Sequence, residues 1–164
     1  MSDELVDLSP YWVRLRALAE ERYQQKDGFA SSRYWNPDSH FVGLCGEVLY
    51  ALATGERVDT RLLLEGDGGS DFRGGVDVKT CRFSRDAYLK HPVGAKRWPE
   101  VFVLCYLDKQ QQAGRILGWV QAGVLKDSNE VKDFGHGPQH VLHQTQLRPI
   151  VSLNKEVVDG AATG

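Results

Sequence analysis

The sequence predicts an α/β protein with a central sheet flanked by helices, and three observations carry that expectation. Residues 11–25 and 39–52 each repeat apolar side chains at helical spacing. Residues 101–107 read Val-Phe-Val-Leu-Cys-Tyr-Leu, a continuous apolar run of the kind expected in a strand covered on both faces. Residues 70–81 hold two short β-type segments around Arg73-Gly74-Gly75, the sequence signal of a tight hairpin.

In chain order, Ser9 is placed to cap a first helix and Pro10 to occupy its first position, since proline lacks only an N–H that the helix start leaves unbonded. Trp12, Leu15, Leu18 and Ala19 form its inward stripe, and Lys26-Asp27-Gly28 ends it. Residues 29–37 form a loop bearing Arg33, Tyr34 and Trp35, rings that either cover the core or stack on bases. Asp38 or Ser39 caps a second helix through Phe41, Leu44, Cys45, Val48, Leu49 and Leu52, with Thr54-Gly55 as its stop.

Residues 58–64 read as a strand, leading through the loop 65–69 to the hairpin. Residues 83–99 show no sustained apolar period and are expected as an exposed crossover with one short helix. Beyond the buried strand, 108–114 is a polar turn and 115–121 the strand that pairs back. A short helix at 123–125, a loop at 127–138 and a final extended segment at 141–151 follow. Residues 1–153 are expected to form one domain and 154–164 a frayed tail.

With 164 residues, of which 41% are hydrophobic and 26% charged, the chain has enough apolar material for one core. No apolar run is long enough for a membrane span and no signal-peptide pattern opens the chain, so a cytoplasmic protein is expected. Cys45, Cys81 and Cys105 are odd in number and widely spaced, which argues against a disulfide framework or a thiolate zinc site. The net charge of −2 does not mark a basic nucleic-acid-binding domain. Residues 79–97 nevertheless carry six cations against one acid. Arg82, Arg85, Lys90, Lys96 and Arg97 there, with Arg73 in the hairpin turn, are the candidate phosphate contacts; a solvated loop with scattered charge is the alternative.

The hairpin holds the chemistry. On the strand 76–81 side chains alternate, so Asp77, Lys79 and Cys81 share one face and Val76, Val78 and Thr80 the other. A two-residue turn would point Asp71 away from Asp77, whereas a three-residue turn at 73–75 sets the two side by side. Two glycines are available for the left-handed conformation that the longer turn needs, and it is the turn expected here. Adjacent carboxylates repel unless a cation sits between them or one is protonated. Mg²⁺ or Mn²⁺ is the simplest cation, because carboxylate oxygens are what these ions prefer.

Asp71, then Asp77-Val78-Lys79 on the next strand, with Glu47 on a preceding helix, resembles the PD-(D/E)xK nuclease superfamily. The resemblance spans about residues 38–150 as a pattern of elements. It departs at Ser70, which stands where the family has proline, at Asp77, where glutamate is commoner, and in a short spacing between the acids. It implies a restriction-endonuclease-like fold with a mixed central sheet, and a Mg²⁺- or Mn²⁺-dependent nuclease that cleaves phosphodiester bonds in DNA. Glu47, Asp71, Asp77 and the Val78 carbonyl would hold the metal, and Lys79 would orient water or stabilise developing charge. Duplex, single-stranded or branched DNA would be the partner, RNA less readily, and a homodimer is compatible with cutting both strands.

Other readings of the same residues remain. A charged hairpin at a sheet edge discourages strand addition without doing chemistry. A non-catalytic nucleic-acid- or protein-binding module on the same fold is the alternative function. Asp67 and Asp71 lack the remaining ligand spacing of a calcium loop, and no Gly-Lys-Ser/Thr follows to make a P-loop. His136, His140 and His143 invite a metal site, but Gly137-Pro138 breaks the helix that would align them.

Overall fold

The computed structural model describes residues 4–26, 36–58 and 71–153. All but Val58 of the expected strand at 58–64, most of the aromatic loop and the tail from 154 lie outside the described residues. The described chain is mixed α/β with two sheets: β1 (Val6–Asp7), α1 (Trp12–Lys26), α2 (Pro37–Thr54), β2 (Val76–Cys81), β3 (Tyr88–Pro92), β4 (Val101–Asp108), β5 (Ala113–Gln121), α3 (Ala122–Lys126), β6 (Val131–Asp133) and β7 (Pro138–His143).

Both N-terminal helices form where the apolar periodicity expects them, but their starts differ in detail. Ser9 and Pro10 lie in a single 3-10 turn ahead of α1. The cap of α2 is Asn36, neither Asp38 nor Ser39, and its side-chain oxygen accepts from the Ser39 N–H at 2.8 Å. Pro37 then takes the first helical turn, which moves the helix start upstream. Gly55 closes α2 at φ 76° with its N–H on Ala51 O, the left-handed stop that a side chain would strain. Asn36→Ala is expected to cost about 1 kcal/mol, read as a lower midpoint of chemical denaturation with unchanged slope.

The main sheet has the order β1-β5-β4-β2, with β2 parallel to β4 and the remaining pairs antiparallel. It is therefore mixed, and among the described strands β2 stands at its edge. One face, carrying Val76, Val78, Val103 and Cys105, packs with the apolar stripe of α2, and Leu15 and Ala19 of α1 close the same core. The opposite face presents Phe102, Leu104 and Val120 to a second core with Leu89, Leu125 and Leu142.

A second sheet, order β3-β7-β6, builds that other layer. α1 and α2 thus cover one face of the main sheet, and a small antiparallel sheet together with α3 lies over the other. The expected exposed crossover contains β3, and the expected loop at 127–138 contains β6. Both strands are short, five and three residues, so neither carries a periodic run long enough to read without its partner. The final extended segment is interrupted: β7 ends at His143, a 3-10 turn spans Gln144–Gln146, and Arg148 returns to pair with Trp119.

Candidate functional site

The hairpin turns through three residues. Phe72 bridges Val76, Asp71 and Phe72 both donate their N–H to Val76 O at 2.7 and 3.1 Å, and Gly74 and Gly75 take φ 75° and 70°. That register sets Asp71 opposite Asp77, as the turn length requires. Phe72 goes to the α2 side, against Tyr50 at 4.6 Å between ring centroids. Gly75 also has no room for a side chain, because a Cβ there would lie 2.7 Å from Glu100 Cγ.

Asp71 Oδ2 accepts from the Val78 N–H at 2.7 Å. Since β2 is an edge strand among those described, this carboxylate satisfies an amide that none of the described strands pairs. Asp77 is the buried charged residue among those described, 9% exposed. Its carboxylate receives the Lys79 ammonium on both oxygens, at 2.8 and 2.9 Å. Burying an anion at this position requires such a partner. The Lys79 side chain stays 41% exposed, so its ammonium also reaches solvent.

In the parallel pairing of β2 with β4, Asp77 lies beside Phe102 and Lys79 beside Leu104, which places both on the second-core face. Glu47 belongs to α2, on the other face, and its carboxylate meets Arg22 of α1 at 4.0 Å. Asp71, Asp77 and Lys79 are brought together; Glu47 is not added to them. Among the described residues no group of three or more His, Cys, Asp or Glu side chains gathers as a metal site. The three glycine-proximal histidines make none either. In donor type, the Asp71 and Asp77 carboxylates and the Val78 carbonyl fit a hard divalent cation, which would compete with Lys79 for Asp77.

His91 is a neighbour that sequence reading missed. It faces inward with Leu89, while Tyr88 and Lys90 face outward, and that two-residue alternation was the available signal. Its Nε2–H donates to Arg97 O at 3.1 Å, and its ring meets Trp98 and Phe102 at 4.4 and 5.0 Å between centroids. A carbonyl only accepts, so this bond fixes the proton on Nε2. Burial pushes the His91 pKa below its ordinary 6.5, against the Arg97 carbonyl, with Lys79 and His140 lowering it and Asp77 raising it. The unfolded chain therefore takes up this proton first, and stability falls as pH drops below 6.5. Replacing His91 by Phe is expected to flatten the thermal-midpoint profile in that interval.

The candidate phosphate contacts are spread over the surface. Arg73 is exposed at the hairpin tip, and Arg85, Lys96 and Arg97 are exposed in loops. Lys90 sits 3.6 Å over the Phe134 ring on the outer face of the second sheet. Arg82 joins two cations that the sequence did not single out: Arg82, Arg16 and Lys109 reach Asp38 at 3.3, 3.0 and 2.7 Å. Hydrogen bonding from Lys109 leads in holding the Asp38 carboxyl below its ordinary range, although burial opposes it. Three cations on one anion leave a positive excess at the far end of β2 from the hairpin.

Compared with protein-family models, curated proteins and solved structures, the chain finds no match. No helix among the described residues is long and apolar enough to cross a membrane.

Proposed function

We propose that this protein is a metal-dependent nuclease on a restriction-endonuclease-like fold, hydrolysing phosphodiester bonds in DNA. The observation that carries the reading is the hairpin itself, where Asp71 and Asp77 stand in register and Lys79 contacts both Asp77 oxygens. Asp71, Asp77 and the Val78 carbonyl would hold Mg²⁺ or Mn²⁺, and Glu47 serves the α1–α2 contact with Arg22 instead. When bound, the metal supplies Lewis acidity at the phosphate and lowers the pKa of a water.

The chain's own residues then do the positioning. Asp77 fixes the Lys79 ammonium, and its exposed side donates to a non-bridging phosphate oxygen as negative charge grows there. Asp71 stiffens the edge of β2 through the Val78 amide. A water oxygen bonds to phosphorus as the bond to the 3′ oxygen breaks; solvent takes the water's proton and protonates the leaving oxygen. The positive cluster at Arg16, Arg82 and Lys109 gives the DNA backbone a contact remote from the cleaved bond.

A non-catalytic binding module is favoured by a different observation, namely that Lys79 is already neutralised by Asp77 and, among the described residues, no third carboxylate joins them. Incubation with duplex, single-stranded, branched and RNA substrates separates the two. A nuclease cleaves at least one DNA form with Mg²⁺ or Mn²⁺ and stops in EDTA. Equal binding with and without EDTA, and no cleavage of any substrate, would leave the module.

A further inference from the structure

An open groove of about 470 Å³ borders the hairpin. Its volume lies within the range of about 300–1,000 Å³ seen for small-molecule sites. Trp98, Glu100, Gln121 and Lys126 line it. It is tied directly to the candidate site: the N–H groups of Glu100 and Val101 both donate to Gly75 O, at 2.8 and 3.2 Å. Trp98 also packs edge-on against His91 and Phe102, and Phe102 is the β4 neighbour of Asp77. The groove therefore lies at the end of the main sheet where β4 begins, next to the hairpin turn that carries the chain into β2.

Its chemistry is unlike that of a simple surface dent. The Trp98 indole N–H is already used, donating to Ala95 O at 3.1 Å, so what the ring offers the groove is a flat π surface. The Lys126 ammonium stands 5.7 Å from that ring's centroid on an exposed, movable stem. Glu100 and Gln121, both exposed, supply a carboxylate acceptor and an amide with donors and an acceptor. A flat aromatic wall, a mobile cation and a few hydrogen-bonding groups suit a heteroaromatic base attached to a phosphate.

We infer that the groove takes one unpaired nucleobase, stacked on Trp98 with Lys126 displaced from the ring onto an adjacent phosphate. The substrate is therefore single-stranded DNA, or duplex DNA locally opened beside the cleaved bond. This inference rests on the proposed nuclease reading, because the groove gains its meaning from the hairpin to which Glu100 and Val101 tie it. A base inside a regular duplex is stacked on both sides and cannot enter.

The test uses the full chain and a short oligothymidylate in which one thymine is replaced by 5-iodouracil. Irradiation in EDTA should crosslink Trp98, mapped by mass spectrometry, and unlabelled single strand should compete better than duplex. In parallel, Trp98→Ala should weaken single-strand binding about tenfold, within the range that one base–aromatic stack supplies; Trp98→Phe should retain most of it. Crosslinks found only outside the groove, no single-strand binding, or equal competition by duplex would overturn the inference. Cleavage with Mg²⁺ is measured on the same preparation. Crosslinking at Trp98 without cleavage sinks the nuclease reading and leaves the base site, whereas cleavage without crosslinking there sinks the base site alone.

Discussion

Lys79→Ala should lower the turnover of DNA cleavage about 10²- to 10³-fold, the cost of removing one preorganised donor to a developing oxyanion. DNA affinity should change little, because the remote cations Arg16, Arg82 and Lys109 are untouched. The substitution also strips Asp77 of the ammonium on both its oxygens, so the folded state should lose stability as well. Lys79→Gln separates the effects, since its amide still donates to Asp77 but carries no charge. Single-turnover kinetics at saturating metal give the measurement. Turnover retained in both variants would remove Lys79 from the chemistry.

Gly46→Ala should destabilise the protein by about 1–3 kcal/mol, the usual cost of overpacking a tight contact. A Cβ at Gly46 would run into Thr80 Oγ1 and lie 3.2 and 3.3 Å from Thr80 Cβ and Val78 Cγ1. Neither neighbour yields readily, because both are β-branched and sit on β2. The clash would push α2 off the strand that carries Asp77 and Lys79. Thr80→Ala provides the relief: Thr80 Oγ1 is buried with no hydrogen-bond partner, so losing it removes an unsatisfied group at the expense of one methyl. The double variant should therefore be more stable than the two single losses added together. Additive losses would mean that α2 adjusts elsewhere. Thermal midpoints should follow, at about 2–4 °C per kcal/mol.

These two expectations differ in how much of their basis a reader of the sequence had. The Asp77–Lys79 pair was legible, because residues two apart on a strand share a face and the hairpin glycines allowed a turn of the needed length. Gly46 was legible only as small; what it makes room for comes from Thr80, 34 positions away. His91 and Trp98 were visible as residues of a basic stretch, yet the strand that turns His91 inward exists only through its pairing with β7.

By itself, then, the sequence determined what is local: two helices, the buried run of β4, the three-residue turn and the side of β2 on which each residue lies. Those follow from backbone periods and turn stereochemistry, which act over a few residues. Tertiary structure decided that Glu47 pairs with Arg22 across the sheet from Asp77, that a second sheet covers the catalytic candidate's face, and that a groove walled by Trp98 opens where β4 begins, next to the hairpin turn. Each of these depends on which distant segments pack together to bury apolar area, and that choice is made by the whole chain at once.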